Sequence, residues 1–261
     1  TPILVDNKDF PGVLRATRNL QTDIEKVTGK KPAIGNETSD GIHYAVIVGT
    51  LGKSRLIDQL IANNKIKVEQ IRGQWDGFSV QVVDKPLPNV KRALVIVGAD
   101  KRGTSYGIYS LSEQIGVSPW YWWADVPVKK SAELYVRPGR SVVNSPVVQY
   151  RGIFLNDEAP ALTGWVRQFH GGYTHRFYTR VFELLLRLRA NTLWPAMWDA
   201  AFSAAPFVRA LSACTQAVLR LLRIDTGRER TITHEELSHS LEEGVDAGVI
   251  DRQERQMVQN V

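Results

Sequence analysis

With a single cysteine, Cys214, in 261 residues, the chain has no internal disulfide and no cysteine-rich metal site. The five histidines show no metal-ligand spacing on one face, and neither a metal nor any other cofactor is expected. No apolar run reaches the roughly 18 residues that a membrane-crossing helix takes. Positive charge is modest as well: the formal net charge is +6, and the basic residues are scattered rather than gathered. Recognition of a phosphate backbone wants a concentrated basic face, so nucleic acid is not an expected partner. The one glycine-bearing turn that could cradle phosphate, Gly98-Ala99-Asp100-Lys101-Arg102-Gly103-Thr104, has neither the Walker pattern nor the dinucleotide spacing. It reads instead as a strand-to-helix connection. The sequence opens at Thr1 with no signal-like segment behind it, which suits a processed secreted chain or a cut one.

What is present is an alternation of strand and helix patterns. Residues 10–27 carry Val13, Leu14, Leu20, Ile24 and Val27 at helical spacing and run into Gly29, a left-handed terminator. Residues 42–48 (IHYAVIV) predict a strand closed by Gly49, and residues 54–62 a short helix. Further strands are predicted over 77–83 and over 93–97, the second (ALVIV) too continuously apolar to be anything but central. A helix is predicted over 105–115, ahead of Gly116. The densest aromatic cluster follows, Trp120-Tyr121-Trp122-Trp123. Large rings dominate interface burial, so packing of one domain on another is its first reading, and stacking on a sugar the second. Val136-Arg137-Pro138-Gly139-Arg140 and Asn144-Ser145-Pro146 read as an exposed connection, which places a domain boundary near residue 145.

The stretch 150–198 organises the chain. It reads as a strand (Gly152-Ile153-Phe154-Leu155), a loop, a helix-like run (HRFYTRVFELLLRLRAN) and a second strand (Thr192-Leu193-Trp194-Pro195-Ala196-Met197-Trp198). That is the repeating unit of a parallel α/β architecture, whose chemistry gathers where the strands end. Pro195 removes a backbone donor, so the second strand is either beginning or ending there. Asn156, Asp157 and Glu158 follow the first strand, and Trp194 and Trp198 lie on the second, an acidic and aromatic mouth that suits a sugar. Adjacent carboxylates on a regular strand point to opposite faces. Asp157 and Glu158 are therefore not the acid and base pair of a glycosidase, and a strand-end carboxylate that satisfies backbone donors remains open for Asp157.

The runs YRGIFLNDEAPALTGW and FYTRVFELLLRLRANTLWPAMW, with the domain-like GADKRGTSYGIYSLSEQIGVSPWYWWADVP before them, resemble the xylan α-1,2-glucuronidases of glycoside hydrolase family 115 over about residues 1–202. The resemblance implies an α/β fold: an amino-terminal mixed α/β domain (1–145), then the first two β/α units of an incomplete (β/α)8 barrel (146–203). Residues 204–261 add a helical tail. It implies release of glucuronic acid or its 4-O-methyl ether from glucuronoxylan or its oligosaccharides, with inversion, in a secreted or periplasmic setting. Dimerisation of complete members is left open. Asn156 and Asp157, with Glu158 beside them, and Trp198 or Trp194 would contact the uronic acid. The family's acid and base would lie on later strands, so no catalytic residue is assigned here. A (β/α)8 barrel takes about 250 residues, and only residues 149–261 remain for it, which predicts an inactive chain.

Residues 203–261 change character, with Phe207 their one aromatic and seven arginines against nine acids. Helices are predicted over 205–224, from a Thr233/Glu236 capping box to about 247, and from Asp251. APFVRALSACTQAVLRLLRI and RTITHEELSHSLEEGVDAGVIDRQERQMVQNV are similar to the segment that follows the membrane domain in haemolysin-C and CorC type transporters. A junction of two unrelated parts is expected near 202–206. Two functions of different classes stand: a glucuronidase-type hydrolase, and a binding or interaction module without catalysis.

Overall fold

The computed structural model describes residues 1–37 and 41–196. Trp198, Cys214 and the predicted tail helices lie outside the described residues. One compact unit is Thr1–Gln149 with Leu186–Leu188, and the other comprises Tyr150–Leu185 and the chain from Arg189.

The first unit is built on a six-stranded mixed sheet: β1 Ile3–Val5, β2 Ile34–Gly35, β3 Tyr44–Thr50, β4 Phe78–Asp84, β5 Arg92–Gly98 and β6 Arg140–Val143, in the order β2-β1-β3-β5-β4-β6. β1 pairs in parallel with β2 and β3, and β3 with β5, whereas β4 is antiparallel to both β5 and β6. The apolar run ALVIV does form a central strand, buried on both faces. Ala93, Val95 and Val97 share a core with Ala45, Ile47 and the α2 residues Ile57 and Leu60, where α2 is Arg55–Ala62. By alternation Leu94 and Ile96 face the other way, and there Ile96 lies against Gly107 of α3 Lys101–Gln114. α1 Pro11–Thr28 runs beside α3, with Asn19 Nδ2 donating to the Tyr109 hydroxyl at 2.8 Å. Gly29 ends α1 in the left-handed conformation at φ 71°, as its spacing predicts.

Four sequence expectations change here. α3 starts at Lys101 rather than 105, because Asp100 caps it by accepting from the Gly103 amide at 2.7 Å. The glycine-rich stretch is thus a cap and a first helical turn. Gly49 does not close β3, which continues to Thr50; a Cβ at Gly49 would meet Ser54 Cβ at 2.6 Å, so the glycine admits the entry to α2. Between the two stretches read as an exposed connection, 136–140 and 144–146, the chain forms an edge strand from Arg140 to Val143, with Phe78 opposite Val143 and Gln81 opposite Arg140. The tryptophan cluster is only half-buried at Trp122 and Trp123, whose rings meet edge to face at 4.9 Å, while Trp120 is exposed. Trp122→Ala should therefore cost about 2 kcal/mol in a urea melt, roughly half the loss for a fully enclosed ring. A loss below about 0.5 kcal/mol would mean that the ring contributes no packing.

The second unit contains β7 Gly152–Phe154, α4 Ala161–His170, α5 His175–Arg187 and β8 Thr192–Trp194. β7 and β8 pair in parallel from Gly152↔Thr192 to Phe154↔Trp194, so helices join two parallel strands, the unit that β/α barrels repeat. β8 ends before Pro195. A Cβ on Gly152 would strike the Thr192 carbonyl, which makes glycine the residue that lets the two strands close. α5 buries Phe177, Tyr178, Val181, Phe182 and Leu185, a stripe at spacings of three and four. α4 falls where the sequence reads as loop. Gly164 inside it costs about 1 kcal/mol of helix propensity relative to alanine, and only Thr163 and Val166 are buried along it. No helix among the described residues is long and apolar enough to cross a membrane.

Candidate functional site

The carboxyl ends of β7 and β8 lie side by side because the strands are parallel, and the Leu155 amide extends the ladder by donating to the Trp194 carbonyl at 2.9 Å. After Leu155 the chain turns through residues 156–160, with a cis peptide bond between Ala159 and Pro160. Within that turn Asn156 and Glu158 are exposed, while Asp157 is 3% exposed. The two carboxylates therefore diverge, as adjacent positions on an extended chain would, although β7 has already ended.

Three later segments converge on Asp157. Thr163, in the first turn of α4, donates its hydroxyl to the Asp157 carbonyl oxygen and lies 3.0 Å from the Tyr173 hydroxyl. Tyr173 sits in the link between α4 and α5. Tyr178 on α5 is buried, and its hydroxyl accepts from the Ala196 amide, just beyond β8, at 3.3 Å. Burial pushes the Tyr178 phenol far above its usual range; the Ala196 bond opposes this, and the nearby Tyr173 and Asp157 add to it. Burial likewise raises Tyr173, with Thr163 opposing and Asp157 reinforcing. Both phenols keep their protons through neutral pH, so each remains able to donate. Thr163, Tyr173 and Tyr178 were not singled out from the sequence. Their signal was faint: one lies in an unrecognised helix, one follows the Gly171-Gly172 turn, and one sits in an apolar stripe.

The aromatic half of the site is arranged differently. Trp194 meets Phe154 edge to face at 5.6 Å, and both rings are more than half exposed, at 61% and 51%. They offer an open apolar platform, which suits the hydrophobic face of a sugar ring. Trp198 lies outside the described residues. Among the described residues no trio of histidine, cysteine or carboxylate side chains is placed to hold a metal ion.

His170 closes α4 against Trp165 and Phe177, at ring separations of 5.2 and 5.7 Å. Burial lowers its affinity for a proton, and Arg180 acts in the same direction. The folded state then takes up that proton at lower pH than the unfolded chain does. Stability contributed by neutral His170 is complete above the ordinary value of 6.5 and falls as pH drops below it. His170→Gln is expected to flatten the dependence of melting temperature on pH below that value. An unchanged pH profile would place the imidazole in water.

Chemically the Thr163 hydroxyl fixes the main chain at Asp157, and the Asp157 side chain acts on the Tyr173 and Tyr178 phenols through its charge. The arrangement is not an acid and base pair, which in inverting glycosidases flanks a water at roughly 6.5 to 9.5 Å.

Known proteins share this architecture. The model described as glycosyl hydrolase family 67 N-terminus matches residues 1–111, and that of glycosyl hydrolase family 115 matches residues 143–218, past the expected junction at 202–206. A solved family 115 4-O-methyl-α-glucuronidase, with specificity for decorated arabinogalactans, is 34% identical at a TM-score of 0.68. The alignment covers 85% of this chain and 28% of that one. A β-hexosaminidase mutant of Streptomyces plicatus, 13% identical over 74% of this chain and 29% of its own at a TM-score of 0.44, is too distant to carry an argument. Separately, the UPF0053 protein sll0260 of Synechocystis is 43% identical over 67 residues, 26% of this chain and 15% of its own length. The chain thus spans 28% of the family 115 structure and 15% of the Synechocystis relative. The amino-terminal mixed α/β domain and the parallel strand–helix unit that follows it are those of glycoside hydrolase family 115.

Proposed function

We propose that this chain supplies the amino-terminal domain and the first strand ends of an α-glucuronidase-type hydrolase, which releases glucuronic acid or its 4-O-methyl ether from plant polysaccharides. The observation that carries the reading is the convergence of Asp157, Thr163, Tyr173 and Tyr178 at the carboxyl end of β7, where β/α folds keep their ligands. The likeness to a family 115 4-O-methyl-α-glucuronidase supports the substrate class. Within this reading Asp157 and Asn156 meet sugar hydroxyls, Glu158 lies at the rim, and Trp194 with Trp198 offers a stacking face. Glucuronoxylan is the first substrate to test and a decorated arabinogalactan the second. A polymeric substrate places the enzyme outside the cytoplasm, in a secreted or periplasmic setting.

Within the same proposal these 261 residues alone do not turn over. Inverting hydrolysis takes two separated carboxyl groups, and β7 is followed by one buried and one exposed carboxylate in adjacent positions. The expected result is no uronic acid released from glucuronoxylan by the purified chain. Release above the background of a heat-denatured sample would overturn this. The second reading, a binding module without catalysis, is favoured by the exposed Phe154 and Trp194 platform. It predicts retention on immobilised glucuronoxylan that Trp194→Ala removes.

A further inference from the structure

The first unit carries a cleft of about 770 Å3 at the amino-terminal ends of β3 and β5, a volume in the range of small-ligand sites. Three elements build it: residues 41–43 leading into β3, the last turn of α2 with its cap Asn63, and the loop from Lys85 to Lys91 that joins β4 to β5. The loop is held firmly. Lys85 donates its amide to the Lys91 carbonyl at 2.8 Å, and Lys91 donates to the His43 carbonyl at 2.9 Å. Leu87 and Val90 anchor the loop in the core below.

The lining is one-signed. Lys65, Lys85 and Lys91 supply its charge, all exposed, and no carboxylate lines it. None of the three lysines forms an ion pair among the described residues, and the adjacent Asp84 is taken by Arg92 at 2.5 Å. Cations near the carbonyl end of a helix are commonplace, but α2 accounts for one lysine, not for three. Like charges gathered on a fixed backbone repel, and an anion in the cleft relieves that repulsion. The remaining polar side chains are the amides Gln59, Asn63 and Asn89, which both donate and accept and so match hydroxyl groups. The lining has no arginine and no phenylalanine, tyrosine or tryptophan. Nucleic-acid grooves rely on forked guanidinium contacts and on base stacking, so this composition speaks against that class.

We infer that this cleft is an accessory site for a carboxylate-bearing oligosaccharide, in which the lysines hold the uronate and the amides its hydroxyls. The choice of a sugar as the anion rests on the functional reading above; the demand for an anion does not.

The test uses the full chain with Asp157→Ala and Trp194→Ala together as background, so that the contacts proposed at the strand-end site are removed. The probe is xylotriose bearing one 4-O-methylglucuronic acid, with xylotetraose as the neutral control, both by titration calorimetry. Binding of the acidic probe is expected, at least about tenfold tighter than the control and weaker at higher salt, as charge-assisted contacts require. The triple change Lys65→Ala, Lys85→Ala, Lys91→Ala should weaken it at least about tenfold, the energy of one such contact. The corresponding arginine changes should largely restore it. All three side chains are exposed, so the melting temperature serves as the check that the variants stay folded. Equal binding of both sugars, or full affinity in a folded alanine variant, would overturn the inference. Tighter binding of a single-stranded oligonucleotide or of polyphosphate would also overturn it and make the cleft a phosphate site. Failure of the functional reading shows elsewhere, as a complete relative that releases no uronic acid, and leaves these titrations intact.

Discussion

Asp76→Ala is expected to destabilise the first unit by about 3 to 5 kcal/mol, the loss typical of a buried ion pair broken on one side. Asp76 Oδ1 lies 2.5 Å from Arg102 Nε, and their side chains are 0% and 7% exposed. With the carboxylate gone, the guanidinium stays beneath the surface with no counter-charge at that position. The pair also ties two segments together. Asp76, at φ 60°, donates its amide to Asp100 Oδ2 at 3.0 Å, and the other oxygen of Asp100 caps α3 through the Gly103 amide. Gly77, the next residue, accepts from the Ala99 amide at 2.9 Å, and its carbonyl occupies the space that a Cβ on Gly103 would need. The Asp100 carboxylate thus joins the entry to β4 and the start of α3 at the exit from β5, and the Asp76–Arg102 pair adds the tie that Asp76→Ala removes. Asp76→Asn keeps a hydrogen-bond acceptor and should lose less. Urea melts followed by far-ultraviolet circular dichroism measure both changes, and a loss under about 1 kcal/mol for the alanine variant would mean that water reaches Arg102.

The same network explains what the sequence conceals. Apolar periodicity is enough to find α1, α2, β3, β4 and β5, because each buries a face and so repeats with the period of its element. β1 and β2 are three and two residues long, shorter than any period can register. β6 reads as linker since it follows Pro138-Gly139 and lies at an edge, where burial writes little pattern. The start of α3 is hidden in the sequence because two glycines that admit close backbone approach look like a turn. Nothing local reveals that the Gly77 carbonyl stands opposite Gly103, a contact fixed by the sheet and not by the neighbours in sequence.

At the candidate site the legible part was the strand end itself. A short apolar run that stops at Asn156-Asp157-Glu158 announces a carboxyl-terminal edge, and β7 ends at Phe154. The partners of Asp157 were not legible. Thr163 enters only once α4 is known to begin at Ala161, and Tyr178 reads as one more member of the apolar face of α5. Its polar tip is visible only through the Ala196 amide that it accepts.

That arrangement sets the second large effect. In a complete family 115 relative carrying the same strand end, Asp157→Ala is expected to lower turnover at least about a hundredfold, or nearly 3 kcal/mol of barrier. A glucuronate substrate is negative at neutral pH, so within the proposed function a carboxylate at this position would be repelled by the acid group and is expected to meet a sugar hydroxyl instead. Contacts of this kind tighten as the ring distorts toward the transition state and supply several kcal/mol in glycosidases. Asn156, which donates as well as accepts, can approach either group. The loss should therefore appear mainly in kcat, with a smaller change in KM, as for an interaction strengthened in the transition state. Asp157→Asn retains an acceptor and should recover part of the rate. A structural role would look different: the Thr163 bond reaches the main-chain carbonyl of Asp157, which the substitution leaves in place, so the fold at the strand end should persist. A folded alanine variant with unchanged kcat would reduce Asp157 to a strand-end carboxylate that satisfies local donors, and the uronate would have to be bound elsewhere.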